Sequence, residues 1–411
     1  MDMINAGDTA WVLTSSALVL LMTPGLAFFY GGMVRRKNIL GILMQCFMLM
    51  CVISIQWVLF GYSLSFGKGS AFVGGLDWFA LKGVGFEPNA DYAGTIPHQA
   101  FMVFQLMFAI ITPALIIGSF AERMKFSAFL LFMILWATLV YDPVCHMVWA
   151  VGGFLRNMGA LDFAGGTVVH INAGVAGLVT ALFLGKRVGY DNKAMPIHNL
   201  PFVVLGAGLL WFGWFGFNAG SALGANSLAA SAFLTTNTAA AAAGLSWALI
   251  EWKFSGKPTM FGMATGVVAG LVAITPAAGF VNVVGAILIG LSVSVVCFFA
   301  IGVIKPKLGY DDSLDAFGVH GIGGMWGALM TGVFATKAVN SAGADGLLYG
   351  NPKQLFIQLL AVVITIGYTF IMTAIIFKIV DAVVGMRASQ EDEVIGLDLS
   401  QHHERAYTIF E

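Results

Sequence analysis

The chain is 411 residues long, 59% hydrophobic and only 10% charged, with a net charge of -1. A soluble domain carries about 25% charged residues, so a soluble enzyme or a disordered chain is excluded, and the balanced charge argues against a nucleic-acid partner. Runs of about 20 apolar residues recur along the whole length, which makes this a polytopic membrane protein whose solvent is the lipid bilayer.

At the N-terminus, Asp2 and Asp8 stand where a signal peptide would carry a basic region. The apolar run that follows, about 10–33, is too long for a signal-peptide core and reads as the first span; whether a signal peptide preceded this numbering stays open. Further spans are expected at about 39–66, 99–120, 127–145, 164–184, 200–221, 228–252, 260–278, 281–304, 316–335 and 353–383, eleven in all. Pro24, Pro113, Gly213 and Gly216 inside them are ordinary for membrane helices, where neighbours re-satisfy the backbone. Cys46, Cys51, Cys145 and Cys297 form neither a disulfide framework nor a zinc spacing and read as packing residues.

An odd number of spans puts the termini on opposite sides. One side then receives Arg35, Arg36, Lys37, Arg123, Lys125, Lys186, Arg187, Lys193, Lys253, Lys257, Lys305, Lys307, Lys378, Arg387 and Arg405, and the other Lys68, Lys82, Arg156, Lys337 and Lys353, 15 against 5. Basic loops stay in the cytoplasm. The N-terminus is therefore expected outside and the C-terminus in the cytoplasm of a cell (inner) membrane.

The fifth and tenth spans each carry an aspartate at the start and a histidine inside: Asp162 and His170 in DFAGGTVVHIN, Asp315 and His320 in DAFGVHGIGG. Lipid cannot satisfy an imidazole, so an intramembrane histidine is expected to face a pore or a partner. The echo between spans five and ten predicts two five-span halves, inverted because five is odd, plus a final helix. Inverted repeats place a pathway at their interface near the midplane. Small residues follow each histidine and permit close helix approach. A metal site would need a third or fourth ligand, and no cysteine or carboxylate stands at helical spacing from either histidine; neither metal nor cofactor is expected.

The segments TPGLAFFYGG (23–32), AERMK (121–125), HMVW (146–149), DFAGGTVVHIN (162–172), WFGFNAGS (214–221), Thr275-Pro276 and DAFGVHG (315–321) together resemble the ammonium transporter family (Amt, Mep and Rhesus proteins) nearly end to end. The resemblance implies an all-α transporter rather than an enzyme, a homotrimer with one pore per subunit, and ammonium or ammonia as the cargo, with methylammonium as its analogue. It divides the chain into a transmembrane domain, 1–386 (repeat one about 8–190, repeat two about 198–340, last helix about 353–385), and a cytoplasmic regulatory tail, 387–411.

By the same resemblance, Phe108, Trp149 and Ser221 match an outer recruitment site. The physics agrees, because aromatic faces attract a cation and a hydroxyl accepts an N–H bond. By position alone Trp149 would be an interfacial anchor and Ser221 a packing serine. Phe108 and Phe217 match a ring pair that closes the pore below. His170 and His320 match twin histidines whose coupled rings accept, donate or relay a proton. Asp162 and Asp315 take structural and electrostatic roles, Asp162 at a helix N-terminus and Asp315 as its mirror image. Leu26, Phe29, Tyr30, Trp214 and Thr275 match other pore-lining positions. Ala316 stands where the family places a branched aliphatic residue.

His98, His146, His198, His402 and His403 read as solvated or interfacial. The tail is short, polar and mostly acidic, so its composition makes it a solvated segment; the resemblance makes it one that packs on neighbouring subunits and receives a PII-type signal protein. Three questions stay open in the residues: whether ammonia crosses alone or a proton follows it by a separate route, whether the chain is an ammonium sensor with little flux, and whether it is a Rhesus-like gas channel.

Overall fold

The computed structural model describes residues 4–191 and 195–407. Asp2, Lys193 and the tail residues 408–411 lie outside them. The molecule is mostly helical and polytopic. Among the described residues nine helices are long and apolar enough to cross a membrane: Ala6–Met33, Arg36–Phe66, His98–Phe120, Phe126–Asn157, Gly166–Leu184, Leu200–Ala222, Ser227–Ser255, Val283–Leu308 and Pro352–Val384. A shorter apolar helix, Met260–Ile274, and one that starts as Phe317–Gly321 and continues as Ile322–Phe334 pack among them. The helix from Met260 stops before Pro276, which has no N–H to continue the ladder. The loop between Phe66 and His98 holds a small antiparallel hairpin, Pro88–Asn89 with Ala93–Pro97, a feature hydropathy does not signal.

Two helices carry the histidines, and both begin in π-helical turns, Gly166–Ile171 and Phe317–Gly321. A π turn inserts a residue into the helix and re-aims the side chains on it, which is why such turns gather at functional sites. The two helices also cross with almost no side chain between them. A Cβ on Gly174 would collide with the Gly321 backbone, and one on Gly324 would stand 3.0 Å from His170 Cβ. Glycine at both positions is what lets the two imidazoles reach each other.

The face that carries the chain's C-terminal tail is held by buried charge. Arg187 makes a two-pronged pair with Asp311 (2.8 and 2.9 Å) and reaches Glu122 at 3.1 Å; Arg35 reaches Glu122 at 3.0 Å. The Arg35 backbone N–H (2.7 Å) and Asn38 Nδ2 (2.9 Å) also donate to the Glu122 carboxylate. Glu122 itself sits at a positive φ of 72°, a strained conformation for a residue with a side chain, and the bonds to its carboxylate hold it there.

The described tail residues, 387–407, are docked on the protein, with Glu393, Leu397 and Asp398 buried. They fold into two short helices, Gln390–Ile395 and Leu397–His402, against the loops that follow the first, third and fifth of these helices. Asp398 Oδ1 accepts the Gly41 N–H at 2.8 Å, Asn38 Oδ1 accepts the Leu397 N–H at 2.8 Å, Gln401 Oε1 accepts the Phe126 N–H at 2.7 Å, and Glu393 bonds both Arg387 and the Val188 N–H. Composition misleads here because the acidic side chains that look solvated are spent on backbone donors at loop and helix starts.

Burial would push the Glu122 and Asp311 carboxyls up, but the guanidinium charges of Arg187 and its neighbours outweigh it and hold both below the ordinary carboxylate range. Lowered folded-state values stabilise the fold above the unfolded values of about 4. That stabilisation is lost as pH falls through the lower folded values. Unfolding midpoints in detergent should therefore be flat from neutral pH to about 5 and drop below about 4. Glu122→Gln should lower stability by about 3–5 kcal/mol, the cost of leaving buried cations without their partner, and should blunt that acid limb. An unaltered midpoint and limb would remove the network from the stability of this face.

Candidate functional site

On the face opposite the tail, a cavity of about 190 Å³ is lined by Gln105, Trp149, Arg156, Asp162, Phe163 and Ser221, among others. Asp162 organises it. Its carboxylate accepts the backbone N–H groups of Gly165 (2.8 Å), Gly166 (2.6 Å), Thr167 (2.8 Å) and Val168 (3.2 Å), and the Thr167 hydroxyl. These are the donors a helix start leaves unsatisfied. Its own carbonyl accepts Trp149 Nε1 at 2.9 Å and fixes the indole. Gly165, at φ 117°, supplies the left-handed turn that wraps the chain around the carboxylate. Ser221 Oγ donates back to the Phe217 carbonyl at 2.8 Å, which leaves its lone pairs able to accept from a guest. Gln105 Oε1 is buried with no partner.

Beneath the cavity the Phe108 ring meets Trp149 edge-on (centroids 5.8 Å apart, 89°) and lies 4.3 Å from the Phe217 ring at 38°. Both phenylalanines are buried. Past them a remnant of about 10 Å³ is lined by Leu26, Leu115, His170, Trp214, Phe217 and His320, among others. That is room for about one water molecule. His170 Nδ1 and His320 Nδ1 are 3.3 Å apart, with the rings near parallel at 13°. Trp214 stacks on His170 at 5.4 Å and is itself held by Nε1 donating to Thr275 Oγ1 at 2.8 Å. One Nδ1 must donate to the other, so with both rings neutral one Nε2 carries a proton and the other a lone pair. His170 Nε2 is buried without a partner.

On the tail side a third cavity, about 130 Å³, is lined by Arg35, Glu122, Arg187, Ser313 and Asp315, among others. Tyr30 is buried beside Leu115, which lines the histidine remnant. Its hydroxyl donates to the Leu115 carbonyl at 3.1 Å, and its ring fills the space a Cβ on Gly118 would need. Ala316 stands at the same place, 3.0 Å from that position.

Most of the expected residues converge here, with three differences. Phe29, Tyr30 and Thr275 are not among the residues lining the remnant: Phe29 packs beside Tyr30 and against Gly206, and Thr275 stands behind Trp214. At the start of the second histidine helix it is Asp312 Oδ2 that accepts a backbone N–H, that of Phe317 at 2.8 Å, while Asp315 pairs with Lys305 at 2.6 Å. The spacing carries that signal, because Asp162 precedes His170 by the same eight residues by which Asp312 precedes His320. Finally, His98 and His146 are 5% and 1% exposed, buried in side-chain and backbone hydrogen bonds rather than interfacial.

Residues 10–407 match the model of the Ammonium Transporter Family. The chain is 56% identical to a protein named "Ammonium transporter" from Bacillus subtilis (strain 168), over 98% of this chain and 99% of that protein. It is 53% identical to one of the same name from Aquifex aeolicus, over 99% and 94%. A crystal structure of Candida albicans Mep2 superposes with a TM-score of 0.89 at 36% identity, covering 95% of this chain and 88% of the other. These relatives are named for transport and not for catalysis.

Proposed function

The chain belongs to the Ammonium Transporter Family, and we propose that it recruits ammonium at the Trp149–Ser221 cavity, where the ion gives up a proton to the water of that cavity, and passes ammonia along the His170–His320 pair to the tail side. The observation that carries the reading is the imidazole pair, 3.3 Å apart in a closed apolar remnant below two phenyl rings in contact.

Ammonium must be told from potassium, which is of similar size but donates no hydrogen bond. The outer cavity offers what only ammonium can use: the lone pairs of Ser221, the partnerless Gln105 Oε1, and the faces of Trp149 and Phe108. None carries full charge, so a recruited ion is not trapped. A charge at the bilayer centre costs at least about 2.5–3.5 kcal/mol, and neutral ammonia avoids that cost. The Phe108–Phe217 pair therefore favours proton loss before passage. Beyond it, one protonated and one bare Nε2 let ammonia accept from one ring and donate to the other.

The remaining parts of the reading extend this frame. Eleven spans follow if Met260–Ile274 and the helix from Phe317 both cross the bilayer. The equal Asp–His spacing and paired π turns support inverted repeats of about 8–190 and 198–340, a last helix of about 353–385, and a domain of 1–386. The distribution of basic residues supports a tail face in the cytoplasm of a cell membrane. The 387–411 tail, whose described residues dock on three loops of that face, is suited to receive a PII-type protein, and the subunit to act in a homotrimer.

Methylammonium uptake into proteoliposomes, with current recorded, tests the reading. Ser221→Ala should raise the half-saturation concentration about three- to tenfold with little change in maximal rate, the worth of one hydrogen bond. Unchanged half-saturation removes Ser221 from recruitment, and absence of uptake with intact binding replaces the transporter with a sensor. Uptake without current means ammonia crosses alone; uptake with current means a proton follows.

A further inference from the structure

His146 is 1% exposed, and both its ring nitrogens face backbone carbonyls: Nδ1 the Ser65 oxygen at 3.1 Å, Nε2 the Ser70 oxygen at 2.9 Å. A carbonyl only accepts. A neutral imidazole has one donor, and would leave its bare nitrogen facing an oxygen lone pair. Both bonds form only if the ring carries two protons and a positive charge. None of the other histidines has this arrangement: His98 Nε2 meets the donor Asn89 Nδ2, His170 and His320 meet each other, and His198 meets one carbonyl and a phenol.

A buried cation needs a counter-charge, and one stands a helical turn away. Asp142 lies four residues earlier on the same helix and is fully buried. Its carboxylate accepts from Gln56 Nε2 at 2.7 Å and Ser65 Oγ at 3.2 Å, and none of the ion pairs found among the described residues includes it. Ser65 joins the two, its carbonyl on the imidazole and its hydroxyl on the carboxylate. Each group is costly alone, and each is what the other lacks. The other titratable groups around them are Tyr141, Cys145, Tyr62, Tyr92 and Asp162, and Arg156, whose guanidinium donates to the Trp149 carbonyl at the end of the same helix.

We infer that His146 is a permanently charged imidazolium, balanced through Ser65 by the Asp142 carboxylate, and that this buried pair is a positioning device for Trp149. The ring pins the last turn of its helix to the segment 65–70 from both sides. Trp149 is three residues on, where the helix ends with the Ala150 N–H on the His146 carbonyl. Loss of the second proton leaves one carbonyl without a donor and frees that turn, and with it the indole.

The experiment is solid-state NMR of the full chain, labelled with ¹⁵N-histidine, in bilayers at pH 8, where an ordinary histidine with a pKa of about 6.5 is neutral. One of the seven histidines is expected to show two protonated ring nitrogens in the unmutated protein and to vanish in His146→Gln. Asp142→Asn should convert it to a neutral ring. Seven neutral rings overturn the charge, and an imidazolium that survives Asp142→Asn overturns the pairing.

The positioning role rests on the reading of Trp149 as the recruiting ring. Both variants should raise the half-saturation concentration for methylammonium about three- to tenfold, one lost hydrogen bond's worth, with the maximal rate retained. Unchanged half-saturation overturns positioning. Trp149→Leu separates the two failures: if it too leaves half-saturation unchanged, the outer-site reading has failed, while the charge pair stands on its spectrum.

Discussion

Replacing His170 and His320 together with alanine should abolish discrimination against potassium, so that proteoliposomes carry a potassium current the parent protein lacks. The imidazoles line a space of only about 10 Å³ among apolar residues below the phenyl pair. Their removal opens a continuous space large enough for water, and a hydrated cation no longer meets a dry barrier. That barrier is worth at least about 2.5–3.5 kcal/mol against a charge, so selectivity should fall about a hundredfold. His170 also stacks on Trp214, so the unfolding midpoint is measured alongside. A folded double variant that still excludes potassium and carries methylammonium at the parent rate would remove the histidines from selection and leave it to the apolar walls alone.

The residues legible in the sequence are those whose chemistry is out of place in a membrane. His170 and His320 stand out because an imidazole in lipid needs a reason, and Asp162 because an aspartate before a glycine pair and an apolar run is a helix start. Residues that act by shape alone left no such mark. Met22, Ile111, Leu115 and Leu210 line the lumen, yet nothing separates them from the aliphatic side chains that face lipid. The π turns that aim the two histidines have no residue signature either; they follow from how two helices with glycines at their crossing must pack.

Where the structure differs from the sequence reading, a hydrogen-bond or ion-pair partner was the cause, close in the chain for Asp315 and far from it for the tail and His146. Asp315 lies nearer His320 and looks like the mirror of Asp162, but Lys305 takes its carboxylate and Asp312 caps the helix. The tail's acids look solvated because their partners, the N–H groups of Gly41 and Val188, are hundreds of residues away. His146 looks interfacial by its depth, and only the fold of the 65–70 segment encloses it. Buried polar groups are satisfied almost without exception, so in each case the chain resolved the conflict by a contact that local pattern cannot display.

Asp162→Ala is the single substitution expected to do most damage. The carboxylate receives four backbone N–H groups and a hydroxyl at the start of the helix that bears His170. Each buried donor left unsatisfied costs about 1–3 kcal/mol; with some relaxation and water entering from the adjoining cavity, a loss of about 3–5 kcal/mol is expected. The damage should not stop at stability. Gly165 keeps its left-handed turn because the chain wraps the carboxylate, and the carbonyl of the same residue holds the Trp149 indole. Freeing that turn therefore loosens the recruiting ring and the register of His170 together, and uptake should be lost even where folded protein is recovered. Asp162→Asn separates the two effects. Its amide oxygen still accepts two of the N–H groups, but its NH₂ confronts the others as a like donor, so folding should be partly restored while half-saturation stays raised. A variant with alanine at this position that unfolds at the parent temperature and transports at the parent rate would mean that backbone geometry, not the carboxylate, builds the outer mouth.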